Sequence, residues 1–208
     1  MIGGKSTRFG VDKGLYKFKD KPFISYQLET LSRFEYDIFL VANSKHQVEA
    51  YINKIDIEKI MAFIVDDYDI VIDSKIRSPM LGLYSAFKEL NQLNYQKAFV
   101  LSCDNPLIQS EVIKYMIKKS HDYDCFIPRW NNEFLEPLFA IYPIEKAFKM
   151  SSKNIKKNQY KLTNILDRDW KIGYASVEEE IKKNDPNLLS FKNINKPEDI
   201  KILEIFSD

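Results

Sequence analysis

The sequence predicts an α/β domain with a doubly wound, mainly parallel sheet and helices on both faces. Three observations lead there. Short apolar runs alternate with helix-length stretches along the chain. The strand runs are apolar without interruption, as in residues 37–42 (DIFLVA) and 97–102 (KAFVLS), which implies that both sheet faces are covered. Polar residues stand just past several of these runs, at the carboxyl ends where a doubly wound sheet binds ligands.

The elements follow in order. Four of the six glycines fall within the first fourteen residues, in a loop that opens the chain. A helix is expected over 22–34, with Pro22 in its first turn. The strand 37–42 leads into a helix over 45–52. Short β pieces are expected at 62–66 and 70–72, then a helix over 79–93 that starts on Pro79. Strand 97–102 and helix 110–119 come next. Strands 123–128 and 138–142, helix 144–150 and strand 170–175 complete the alternation. Ser176 with Glu179 has capping-box spacing, and a last helix is expected over 197–206. Residues 151–160 read as the least regular stretch. Their lysines 153, 156 and 157 suit either an anionic ligand or a solvated loop.

With 208 residues the chain forms one domain, with a nucleotide-binding part over about 1–108 and an acceptor-binding part over about 109–208. A net charge of +1 argues against nucleic acid or an anionic membrane as partner. No apolar stretch reaches the ~20 residues that span a bilayer, and no signal peptide is visible, so a cytoplasmic location is expected. Neither the two cysteines, Cys103 and Cys125, nor the two histidines, His46 and His121, have zinc-clip spacing. Cys103 and Cys125 each lie in apolar surroundings and read as buried small hydrophobes.

The opening loop carries the strongest chemical signal. Gly3, Gly4 and Gly10 are interleaved with Lys5, Ser6, Arg8 and Lys13. Glycines let backbone N–H groups converge, and with fixed cations they make a seat for phosphate oxygens. The pattern is neither a P-loop nor Gly-x-Gly-x-x-Gly. Asp104 leaves strand 97–102 ahead of a proline turn. It suits Mg²⁺, which takes one or two carboxylates plus phosphate oxygens, and it equally suits a turn cap. Asp73 precedes Pro79-Met80-Leu81-Gly82, and Asn43 follows strand 37–42; each reads as a site residue or as plain loop. Asn193 and Asn195 would share one face of a short strand, while Asn195 alone would also N-cap the helix after it.

In order, the set is Gly3-Gly4-Lys5-Ser6-x-Arg8-x-Gly10-x-Asp12-Lys13, Asp73 with Pro79–Gly82, Ser-Cys-Asp104-x-Pro-Leu, Glu136-Pro-Leu-x-Ala-x-Tyr142, and Asn193-x-Asn195-x-Pro-Glu-Asp199. It resembles the molybdenum cofactor guanylyltransferases, of the wider nucleotidyltransferase class with Rossmann-like folds. The resemblance implies transfer of GMP from GTP to the phosphate of molybdopterin, with release of pyrophosphate. It implies that Gly3, Gly4, Lys5, Ser6, Arg8, Gly10, Lys13, Asn43, Asp73, Gly82 and Asp104 bind the nucleotide. Arg8, Lys13 and Asp104 would be catalytic, Asp104 would hold Mg²⁺, and Glu136, Asn193 and Asn195 would face the acceptor. Molybdoenzymes or cofactor-insertion proteins are implied as partners. A cytidylyl donor, a sugar-phosphate acceptor and a non-catalytic nucleotide-binding relative are the alternatives. A phosphate monoester is already an anion and needs no general base, which agrees with a set that holds no histidine.

In that family a full central strand precedes the glycine loop. Here only Met1 and Ile2 do. The expectation is a first strand truncated at the N-terminus, either because translation starts upstream or because another segment takes its place.

Overall fold

The computed structural model describes residues 1–3, 12–71, 76–194 and 199. A hairpin of β1 (Lys17–Phe18) and β2 (Lys21–Pro22) precedes α1 (Phe23–Leu31). Then come β3 (Ile38–Ala42), α2 (Lys45–Ile52), β4 (Ile60–Val65), α3 (Pro79–Gln92), β5 (Lys97–Leu101) and α4 (Ser110–Ser120). The chain continues through β6 (Cys125–Arg129), β7 (Phe139–Pro143), α5 (Ile144–Lys156) and β8 (Ile172–Ser176), with short 3-10 turns between.

β3 and β4 pair in parallel. A four-stranded sheet runs β5-β7-β6-β8, with β6 and β8 parallel and β7 antiparallel to both of its neighbours. The architecture is thus α/β with a mixed sheet, as expected in class; β7 is the strand that reverses.

The uninterrupted strand runs are explained by the packing. Cys125, Ile127, Ala140 and Tyr142 face one side and pack with Met80, Leu83 and Phe87 of α3 and Ile144 and Ala147 of α5. Their sequence neighbours Phe126, Phe139 and Ile141 face the other side, against Val112, Ile113 and Met116 of α4. Alternate side chains enter opposite cores, so the middle positions of β6 and β7 are apolar on both faces.

Met1, Ile2 and Gly3 lie between β3 and β5. The Ile2 and Gly3 N–H groups donate to Val41 O at 2.8 and 3.2 Å, the Met1 amino group donates to Leu101 O at 2.9 Å, and Cys103 N–H donates to Met1 O at 3.1 Å. Behind these residues an apolar cavity of about 430 Å³ separates the two strands, lined by Leu28, Leu40, Phe87, Val100, Ile113 and Ile141. Among the described residues, β3 otherwise pairs only with β4 and β5 only with β7.

Several local expectations change. Of the β piece expected at 70–72, Ile70 ends a 3-10 turn over Tyr68–Ile70, Val71 is its extended cap, and residue 72 lies outside the described residues. α5 runs to Lys156, well into the stretch read as irregular, and Lys153 and Lys156 occupy its last turn, where the helix dipole favours cations. The Ser176 cap is closed by Glu180, not Glu179: Ser176 N–H donates to Glu180 Oε2 at 2.9 Å, while Glu179 N–H donates to Ser176 Oγ at 3.2 Å. Asn193 lies in irregular chain rather than on a strand. The helix expected over 197–206 falls outside the described residues except at Asp199. No helix among the described residues is long and apolar enough to cross a membrane.

Candidate active site

The carboxyl end of β5 continues through Ser102 and Cys103 into Asp104, which is held on its backbone side by Ile194 N–H donating to Asp104 O at 3.0 Å. Across the cleft, Asp12 N-caps the 3-10 turn Lys13–Leu15. That turn delivers Lys13, whose Nζ lies 3.6 Å from Asp104 Oδ2, with side chains 16% and 25% exposed. The ammonium and the carboxylate are therefore partly desolvated yet still open to a ligand. Loop residue and strand-exit residue are 91 positions apart in sequence and meet as an ion pair.

Two further residues close on Asp104. Glu136, at the entry to β7, accepts from Trp130 Nε1 at 2.8 Å. Burial raises its carboxyl above the usual range, the indole bond pulls it back, and the Asp104 charge pushes it up again. Asn105 is buried; its Nδ2 donates to Asn193 Oδ1 at 2.8 Å and to Ser190 O at 3.1 Å, which ties the 190–194 segment to the Asp104 turn.

The second group stands at the exits of β3 and β4. A Cβ on Gly3 would lie 3.5 Å from Asn43 N, so these two residues are in contact. Asn43 N–H donates to Gln47 Oε1 at 2.8 Å. A Cβ on Gly82, in α3, would lie 3.3 Å from Asp66 Oδ1 and 2.5 Å from the end of the Met1 side chain, so the helix meets the β4 exit closely at this position. Burial pushes the Asp66 carboxyl up to about 6, against the pull of Arg77 and of the amino terminus.

Of the residues singled out from sequence, the structure brings Lys13, Asp104, Glu136 and Asn193 to one cluster and Gly3, Asn43 and Gly82 to the neighbouring strand exits. Gly4, Lys5, Ser6, Arg8, Gly10, Asp73 and Asn195 lie outside the described residues. Asp66, Asn105 and Trp130 went unmarked in the sequence. Asp66 had a usable signal, since it is the first residue past β4, as Asn43 is past β3. Cys103 sits beside Asp104 but is buried, and burial pushes its thiol up to about 12, so it stays protonated and inert. Cys125 is likewise buried.

Among the described residues, no three His, Cys, Asp or Glu side chains cluster to hold a metal ion. A single, partly exposed carboxylate beside the Lys13 ammonium is nonetheless a donor that Mg²⁺ takes when phosphates and waters complete its shell.

Residues 1–169 match the MobA-like NTP transferase domain. The "Probable molybdenum cofactor guanylyltransferase" of Thermococcus gammatolerans is 35% identical over 96% of this chain and 94% of its own. That of Pyrococcus horikoshii is 31% identical over 98% and 96%. The crystal structure of molybdopterin-guanine dinucleotide biosynthesis protein A from Archaeoglobus fulgidus superposes with a TM-score of 0.78 at 27% identity, covering 99% of this chain and 96% of that one. With the match spanning most of its length, the chain belongs to the MobA-like NTP transferase family.

Proposed function

We propose that the protein transfers GMP from GTP to the terminal phosphate of molybdopterin. A phosphate oxygen of the acceptor forms a bond to the α-phosphorus of GTP, the bond from that phosphorus to the bridging oxygen breaks, and pyrophosphate leaves. The observation that carries this reading is the meeting of Lys13 with Asp104 at the carboxyl end of the sheet. The guanylyltransferase names of relatives matched along nearly the whole chain support guanine as the base and molybdopterin as the acceptor.

The residues have distinct tasks. Lys13 neutralises charge on the β- and γ-phosphates and so stabilises the leaving pyrophosphate. Asp104 would hold Mg²⁺, which supplies charge neutralisation at phosphate oxygens. Glu136 and Asn193 border the same cleft from the acceptor-binding part. Asn43 and Gly82 lie beside the strand exits, where the nucleoside would rest. Catalysis is alignment and electrostatics; no side chain has to remove a proton.

The test is pyrophosphate release from GTP, Mg²⁺ and molybdopterin. Release with GTP well above that with CTP is expected. Better turnover with CTP would point to cytidylyl transfer, and release only with a sugar phosphate would replace the acceptor. The Asp104→Asn variant is expected to lose at least ~100-fold in kcat, the scale seen when one preorganised electrostatic group is removed. Retention of most activity by this variant would remove Asp104 from the metal role.

A further inference from the structure

We propose that Tyr51 and Gln47, both on α2, are positioning residues for Lys13 that act through Asp12; this rests on the nucleotide-transfer reading of Lys13. A lysine side chain has four rotatable bonds, so its reach is only as well defined as the backbone that carries it. Here that backbone is a three-residue turn, Lys13–Leu15. Its cap, Asp12, is held by three donors. Oδ1 accepts from Gly14 N–H at 3.0 Å and from the Tyr51 hydroxyl at 2.6 Å, and Oδ2 accepts from the Gln47 amide nitrogen.

Both donors come from one face of α2, four residues apart, and both are buried. Gln47 reaches further: its Nε2 also donates to Ile2 O at 2.9 Å, and its Oε1 accepts from Asn43 N–H at 2.8 Å. One amide thus fixes the opening residues, the Lys13 turn and the β3 exit relative to each other. The fit at Gly14 is tight. A Cβ there would fall 2.1 Å from Tyr51 Oη, so the turn approaches the phenol as closely as a glycine permits. Burial, reinforced by the Asp12 charge, raises the phenol far above its ordinary range and keeps its proton available to the carboxylate.

A core tyrosine that only fills space would affect folding and leave Lys13 alone. The two roles separate in a double-mutant cycle read by the dissociation constant for GTP in the presence of Mg²⁺. Tyr51→Phe keeps the ring and removes one charge-assisted bond to Asp12, and it is expected to weaken GTP binding about tenfold. In a Lys13→Ala background the same change is expected to have no further effect, because the group it positions is gone. An equal loss in both backgrounds, or wild-type affinity in Tyr51→Phe, overturns the proposal. Gln47→Met, which keeps the shape and removes the amide, is expected to behave in the same way, with circular dichroism confirming that each variant is folded. If the wild-type protein binds no GTP, the nucleotide reading itself falls and takes this inference with it, an outcome distinct from the two above.

Discussion

Asp66 shows how much one partly buried carboxylate weighs. Its pKa is raised from 3.8 to about 6, chiefly by burial. Between those values the native state binds the proton more tightly than the unfolded state does, so stability falls as pH rises through that window and stays reduced above it. Asp66→Asn removes the charge at nearly constant shape. The variant is expected to unfold at higher urea than the wild type at about pH 8, with the gap closing towards about pH 4, where both side chains are neutral. A constant gap across that range would place the destabilisation elsewhere. Asp66 also marks where residue-level reading of the sequence stopped. Asp104 was legible because an apolar run ends abruptly in a carboxylate. At 62–73 there are two apolar runs; the sequence marks the carboxylate after the second, Asp73, which lies outside the described residues, and leaves Asp66, after the first, unmarked. The structure turns 68–70 into a 3-10 helix and makes Asp66 the residue at the β4 exit. Lys13 was legible from its loop, but its anchors Tyr51 and Gln47 were not. A tyrosine and a glutamine in a short helix carry no pattern that says what they bond.

At the scale of elements, strands were easier to read than what joins them. β3, β5, β6, β7 and β8 all fall within two residues of the expected runs. The β1–β2 hairpin was missed for a physical reason. Its register, Phe18↔Lys21, leaves a two-residue turn of Lys19 and Asp20 with φ of 46° and 62°. Both central residues are left-handed, the geometry of a type I′ turn that usually announces itself as Asn-Gly, and Lys-Asp gives no such signal. The double change Lys19→Asn with Asp20→Gly suits that geometry and is expected to raise stability by about 1 kcal/mol, seen as a higher urea midpoint at unchanged slope. No change would mean that the turn conformation is not held in solution. α5 was cut short in the reading because Ser151, Ser152 and a lysine cluster look like loop. In the fold Ser151 is buried with its hydroxyl donating to Phe148 O, and Asn154 donates to Asn164 O at 2.8 Å. The Ser151 hydroxyl is satisfied by a carbonyl of its own helix and Asn154 by one outside it, so neither is left unpaired in the helix.

At the scale of the whole molecule, the two larger sheets, β3-β4 and β5-β7-β6-β8, share the core built on α3 and are bridged by backbone hydrogen bonds through Met1–Gly3. β3 and β5 bond to Met1–Gly3 at their carboxyl ends, and beyond that point their facing edges border an apolar cavity of about 430 Å³. Among the described residues, β3 pairs otherwise only with β4, and β5 only with β7. The amino group of Met1 is buried at the mouth of this cavity, and burial lowers its pKa. Here side chains of both cores line the gap between the strands that carry Asn43 and Asp104 at their ends. An extended apolar segment of five residues, alternating valine and alanine and joined to Met1, has the length and character to bond to both edges. Burying a valine is worth about 1.5–3 kcal/mol, and each net kcal/mol left after the segment is ordered raises the melting temperature of a domain of this size by roughly 2–4 °C. A control extension of five glycine and serine residues shares the new peptide bond at Met1 and offers no apolar side chains. The apolar version is expected to melt well above the control and to bind GTP more tightly, since the same gap sets the distance between Asn43 and Asp104. Equal melting temperatures for the two extensions would show that the cavity does not accept a strand, and that the two sheets are already held as firmly as the fold requires.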